Sequence, residues 1–401
     1  MRRLAGMILV SALLQACGGS SGVPVANAPA SSQAVAFHID AAHTGLTGIL
    51  APVFPASAAW TKSFIGPVSY PLIAGGKVFV IEFGTFANSN ATHLHALDRS
   101  TGATAWGSVL LPGLTSGGGH AFDNGKLFVT TFEGLVLSFD AATGQPGWST
   151  KLPDTLGFVA APTANGGIVY VSSGGRVFAL DESNGAIVWS APVNGGGFGT
   201  PSVAGGRVIV AYPCQYYALS TLSGAELWHY GGGCSGGGGS TVSVSGEIAY
   251  VRDIDNGSTF GPLIDIRASA TGVSGGRYAS PGLFSQEPIP SVTADAVFLL
   301  EGGTLRRHDR ALTQTTWSFA GDGTLTSAPL ILDTAIVVAA TSGQLYAVDA
   351  ATGRQIWSAR LPSGIDSGND AGTLTLVDLA AGEGYLVVPA RTTLTAFHVT
   401  P

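Results

Sequence analysis

The chain has 401 residues, 45% hydrophobic and only 11% charged, so it can bury a large core. Its net charge is −7 and its four lysines form no basic cluster, which argues against nucleic acid as a partner. The 58 glycines, with few helix formers, point to many short strands joined by tight turns.

In chain order, Met1-Arg2-Arg3 and the apolar run 4–14 come first. The run is too short to span a bilayer as a finished helix and reads as a signal peptide over 1–17. It ends Leu14-Gln15-Ala16-Cys17, which resembles the bacterial lipoprotein signal; the resemblance implies that Cys17 is lipidated and becomes the mature N-terminus. An ordinary cleaved signal peptide is the alternative. Residue 18 is glycine rather than the aspartate that commonly retains such proteins in the inner membrane, so the expected location is the outer membrane, at its periplasmic face or the cell surface. Loss of Arg2 and Arg3 with the signal leaves a net charge of about −9. Residues 18–35, rich in Gly, Ser, Ala and Pro, read as a flexible tether.

From residue 36 onward one phrase recurs, most cleanly as Val177-Phe178-Ala179-Leu180-Asp181, Gly185, Trp189. It returns at Asp98-Gly102-Trp106, Asp140-Gly144-Trp148 and Asp349-Gly353-Trp357. Ser220-Gly224-Trp228 lacks the acid, Asp309-Thr313-Trp317 lacks the glycine, and Ala268-Gly272 lacks the tryptophan. Apolar alternation predicts a strand. Asp with Gly four positions on predicts a tight turn, the carboxylate bonding nearby backbone N–H groups and Gly taking the left-handed conformation. The tryptophan predicts a large ring that fills the gap between twisted sheets. A recurring aspartate of this kind is a turn cap rather than a catalytic acid or base.

Each phrase is preceded by a short strand that often carries Pro, a tight turn, and an apolar strand such as Ile168-Val169-Tyr170-Val171. Four antiparallel strands in about 40 residues are the grammar of a propeller blade. Markers at Asp98, Asp140, Asp181, Ser220, Ala268, Asp309, Asp349 and His398 predict an all-β, eight-bladed propeller over 36–401, with seven blades as the alternative. The last unit stops at its third strand. Ala58-Ala59-Trp60-Thr61-Lys62 carries the seventh tryptophan and is expected to supply the fourth strand and close the ring.

These repeats are similar to the PQQ-type β-propeller repeat of quinoprotein alcohol dehydrogenases and of the BamB family of outer-membrane assembly lipoproteins, over about residues 58–399. The lead-in Phe37-His38-Ile39-Asp40-Ala41-Ala42-His43-Thr44-Gly45 also resembles that of secreted members. The enzyme branch implies an adjacent Cys-Cys pair stacked on the quinone, a haem motif Cys-x-x-Cys-His in some members, and Glu, Asn and Asp converging on the axis. The chain has neither cysteine motif. The resemblance therefore implies a non-catalytic, lipid-anchored, monomeric scaffold for other envelope proteins, with no catalytic, cofactor or metal residues assigned. A quinoprotein dehydrogenase and a cell-surface carbohydrate or peptide binder are the alternatives.

Loops joining second to third strands share a face with the loops between blades, and the irregular segments 84–92, 111–119, 231–239, 252–262 and 361–372 all fall in this class. Cys214 and Cys234 lie on that face of one blade and are expected to pair in an oxidising envelope. Phe83, Phe86, Tyr216 and Phe260 are the aromatic candidates for a ligand surface there. Asp253-Ile254-Asp255-Asn256-Gly257 begins like a calcium loop, but its glycine is one place early and position twelve is Ile264, so a solvated acidic turn is expected. His93 and His95 share a strand, and His38, Asp40 and His43 the lead-in; packed or exposed histidines are expected in both. The Gly-x-Ser-x-Gly matches at 18–22 and 272–276, and Gly-x-Gly-x-x-Gly at 231–236, lack a following helix and read as chance in so glycine-rich a chain.

Overall fold

The computed structural model describes residues 32–84, 92–112, 118–153, 160–195, 199–234, 239–255, 260–281, 287–366 and 376–400, with the backbone alone at 254, 255 and 260–262. These residues form 32 strands in eight four-stranded antiparallel sheets, with no helix among them. Blades 1 to 7 occupy 72–110, 120–151, 163–192, 202–231, 243–279, 291–319 and 330–360. Blade 8 joins three strands at 380–398 to the N-terminal strand Ala58–Ser63, which lies outermost and pairs with Thr393–His398. The ring is an eight-bladed β-propeller, closed between its two ends as the truncated last repeat requires.

The alternation in the repeat acquires a specific meaning here. Second and third strands are buried on both faces, as in Ile168–Ser173 and Arg176–Asp181 of blade 3. Val177 and Ala179 pack toward blade 4, alongside Val208 and Val210. Phe178 and Leu180 pack toward blade 2, alongside Phe128 and Val136. Each blade thus contributes one set of alternating residues to each neighbouring seam, and the outermost strands, such as Ile187–Pro192, remain half exposed.

The Asp, Gly and Trp of the phrase work across seams. Asp98 Oδ1 accepts the backbone N–H groups of Ser100 and Thr101, and Asp140 and Asp349 do the same for Thr143 and Thr352. The glycine then turns with φ near +70°, as at Gly102 and Gly353. Against it lies the indole of the preceding blade: Trp60 on Gly102, Trp106 on Gly144, Trp148 on Gly185, Trp189 on Gly224, Trp228 on Gly272 and Trp317 on Gly353. Each of these indoles donates its N–H to the carbonyl one residue after the marker, namely Arg99, Ala141, Glu182, Thr221, Ser269 and Ala350.

This pairing explains the repeat without tryptophan and the repeat without glycine as one event. Blade 5 has no tryptophan, so the turn of blade 6 needs no glycine and carries Thr313 instead. There the left-handed residue is Leu312, which turns its side chain into the seam beside Tyr250 and Ile264. The Tyr250 hydroxyl donates 2.9 Å to the carbonyl of Arg310, the position an indole N–H reaches at the other seams.

The lead-in circles the inner strands. Main-chain N–H groups of Ile73, Phe122, Val203, Val244, Val292 and Ile331, on blades 1, 2, 4, 5, 6 and 7, donate to the carbonyls of Ala34, Val35, Ala41, Ala42, Thr44 and Gly45. On blade 8 Glu383 N–H reaches the carbonyl of Ser32. The pairing therefore begins a few residues inside the stretch whose composition reads as tether. Since the paired residues stand just before the first hairpin turns, or within that turn at Glu383, the lead-in closes the axis at that end.

Candidate binding face and the axis it surrounds

On the irregular-loop face, Cys214 and Cys234 are joined by a disulfide with Cα atoms 5.3 Å apart, tying the second turn of blade 4 to its exit segment. Cys214 is buried, and its N–H donates 3.0 Å to Asp253 Oδ1 of blade 5. The other Asp253 oxygen accepts the Tyr216 hydroxyl. Asp253 is thus not the solvated turn residue expected from sequence: it is buried and joins two blades under the disulfide. Gly257 lies outside the described residues, and the structure describes no side chain for Asp255.

Asp253 belongs to a polar system across blades 4 to 6 that the sequence reading missed. Arg267 Nη2 and Arg277 Nε both donate to the buried Asp265 Oδ2, at 2.7 and 3.1 Å. The Arg267 guanidinium stacks 4.1 Å from the ring centre of Tyr230, which in turn stacks on Tyr216. In blade 6, Glu301 Oε2 lies 3.2 Å from both Arg306 and His308. Burial opposes ionisation of Glu301, but bonds from His308 and Tyr278 prevail and lower its pKa. Repeat alignment carries the signal: Asp265 and Arg306 stand where blade 3 has Phe178, and Arg267 and His308 where it has Leu180.

Of the aromatic candidates, Phe83 and Tyr216 do not form a ligand surface, because both are buried between blades. Phe86 lies outside the described residues, and only the backbone of Phe260 is described. The face instead offers a cleft of about 450 Å³ lined by Gly303, Thr324, Leu325, Thr341, Ile365 and Arg391, contributed by blades 6 to 8. Arg391 Nε sits 3.6 Å from Asp366, with both side chains more than half exposed.

His95 Nε2 lies 2.8 Å from Glu82 Oε2, and Glu82 Oε1 accepts the N–H groups of Ile65 and Gly66. That pair clamps the crossing from the closing strand to blade 1, and the His93 ring is 6.0 Å from His95. In the axis, His38 Nδ1 is 2.7 Å from Asp378 Oδ2, and its Nε2 is 3.0 Å from Ser291 Oγ. His43 is fully buried, with Nδ1 2.6 Å from the Phe37 carbonyl and Nε2 facing the Pro201 carbonyl and Thr163 Oγ1; burial lowers its pKa. Asp40 caps its own segment through Ala42 N, Thr44 N and Thr44 Oγ1.

These residues do not fit a calcium-bridged quinone. Asp378 is committed to His38, and among the described residues no three His, Cys, Asp or Glu side chains converge. The disulfide joins cysteines 20 apart in sequence rather than adjacent ones.

The family described as outer membrane protein assembly factor BamB matches residues 90–177, 156–259 and 265–399. The chain belongs to the BamB family. The outer membrane protein assembly factor BamB of Yersinia pestis is 24% identical over 330 residues, covering 78% of this chain and 75% of that protein. The crystal structure of BamB from Moraxella catarrhalis superimposes with a TM-score of 0.64 at 16% identity, covering 86% of this chain and 99% of that one. The quinohemoprotein alcohol dehydrogenase of Comamonas testosteroni does so with a TM-score of 0.71 at 14% identity, covering 92% of this chain and 80% of that one. At such identities the structural likenesses speak to the fold alone, and the dehydrogenase shares the propeller with this BamB-family chain.

Proposed function

We propose that this protein is a scaffold of outer-membrane protein assembly, held at the outer membrane by lipid on Cys17 and presenting its irregular-loop face to other envelope proteins as a monomer. The observation that carries this reading is the family match over residues 90–259 and 265–399. The architecture supports it: uniform turns occupy one face, while the irregular segments share the other, braced by the disulfide and Asp253. A rigid disc of this kind can bind extended segments or loops without reorganising, which lowers the entropic cost of association.

The test is to express the full chain with a C-terminal affinity tag in a cell with an outer membrane, alongside Cys17→Ser. The wild-type chain is expected in the outer-membrane fraction, where it co-purifies with outer-membrane assembly proteins, and Cys17→Ser in the soluble envelope fraction. Recovery of the wild-type chain without any such protein, or saturable binding of PQQ with calcium by the purified chain, would overturn the reading.

A further inference from the structure

Six of the eight inner strands have a main-chain N–H satisfied by the lead-in, and blade 8 meets it through Glu383 in the turn that follows its inner strand, whereas among the described residues blade 3 has neither contact. The position equivalent to Ile73 and Val203 is Ala164, in the inner strand Thr163–Asn165. Its register with Val169 matches that of Ile73 with Val78, so its N–H points away from the neighbouring strand and toward the axis. The lead-in skips this edge because residues 36–40 leave the circle: Ala36 and Ile39 pair with each other, and Phe37 and His38 turn inward, where both are buried. The chain rejoins the circle only at Ala41, on blade 4.

A cleft of about 510 Å³ opens at the gap, lined by Val35, Ala41, Asp123, Asn124, Ala164 and Asn165 among others. One Asp123 oxygen is enclosed and accepts no hydrogen bond from the described residues. The nearly buried Glu182 carboxyl is hydrogen-bonded to Asp123, and burial first, then the Asp123 charge and that bond, raise its pKa. The nearest cation, Lys126, spends its ammonium on the Glu182 carbonyl at 3.2 Å, and Asn124 Nδ2 is bonded to Glu182 Oε2. Among the described residues, the cleft therefore combines a backbone donor without a partner and one Asp123 oxygen without a partner, beside a carboxyl pair that no side-chain cation bridges.

We propose that this gap is a binding site for an extended peptide segment of a partner protein, whose carbonyl takes the Ala164 N–H and whose basic side chain takes Asp123. The lead-in indicates the occupant, because on six other blades main chain meets this edge through its carbonyls. Asp123 selects a donor, and a lysine or arginine supplies one with complementary charge. The site lies at the hairpin-turn end of the axis, opposite the irregular loops, and does not depend on what those loops bind.

The test is a titration of the full soluble chain, labelled at alanine methyl groups, with the capped tripeptide acetyl-Ala-Lys-Ala-amide, observed by NMR. Saturable shifts centred on Ala164 and Ala41 are expected in the millimolar range or tighter. In Asp123→Asn, which keeps the side-chain volume, affinity is expected to fall about tenfold with the alanine spectrum otherwise unchanged. The Glu-containing tripeptide is expected to bind at least as weakly to the wild type. Absence of saturation at Ala164, or equal affinity for the Lys and Glu peptides in wild type and Asp123→Asn, would overturn the site.

Discussion

The indole of Trp317 lies so close to Gly353 of the next blade that a methyl group built on that glycine would stand 2.6 Å from the ring. Gly353 also turns at φ +70°, where a side chain is strained. Close approach and left-handed backbone thus demand glycine together, and only where a tryptophan arrives from the preceding blade.

Gly353→Ala is therefore expected to lower stability by about 3 kcal/mol, from overpacking plus backbone strain. At the seam without tryptophan, Thr313→Ala loses only an exposed hydroxyl bond to Asp309 and is expected to cost less than about 1 kcal/mol. Urea unfolding midpoints of the two variants compare them directly; equal losses would remove the indole contact as the cause.

Tyr250→Phe keeps the ring that packs between blades 5 and 6 but removes the hydroxyl that donates to Arg310 O and accepts from Arg310 Nε at 3.3 Å. A cost of about 1–2 kcal/mol is expected, with the Arg310 carbonyl left short of its donor. Tyr170→Phe is the control, since Tyr170 has the same register but packs on Trp189. Its loss is expected to be the smaller in a thermal melt.

Reduction of the disulfide should be felt beyond blade 4. It closes a loop of 20 residues, for which chain entropy predicts about 3 kcal/mol. Asp253 anchors the same turn from blade 5, so amide exchange is expected to quicken around Cys214 and at Asp253 together when the protein is reduced. Exchange that changes only in 231–234 would show that the brace does not cross the seam.

Burial holds His120 neutral, with its pKa lowered from 6.5 to about 4. The unfolded chain takes up a proton between those values that the folded chain refuses. Stability is therefore flat above about pH 6.5 and falls as the pH drops toward 4, by about 2 kcal/mol from this group between pH 7 and 5. Buried His43 acts in the same direction. In His120→Phe the pH dependence of the unfolding free energy is expected to flatten by that amount; an unchanged slope would assign it elsewhere.

Most of the fold was legible because its signals are local and repeated. A two-residue period, an aspartate four places before a glycine and a tryptophan four places later fix strands and turns without long-range information. The closing strand could be placed because Trp60 fills the slot left by a truncated last repeat. The candidate site was only partly legible. Cys214 and Cys234 could be matched from their places within one blade, but Asp253 could not, since its partners arrive from another blade. Tyr250 and Tyr170 share a register and differ only in what the next blade offers them. The lead-in's role was invisible for a related reason: its carbonyls serve strand edges through main chain, which leaves no side-chain signature.

Site-specific photo-crosslinking in cells tests the scaffold role most directly. Crosslinkers at Thr324 and Arg391, exposed on the irregular-loop face, are compared with ones at Ser183 and Leu222, exposed on the turns of the opposite face. The account predicts adducts with outer-membrane assembly proteins from the first pair and none from the second. Adducts confined to the turn face, or none with any assembly protein from either face, would contradict it.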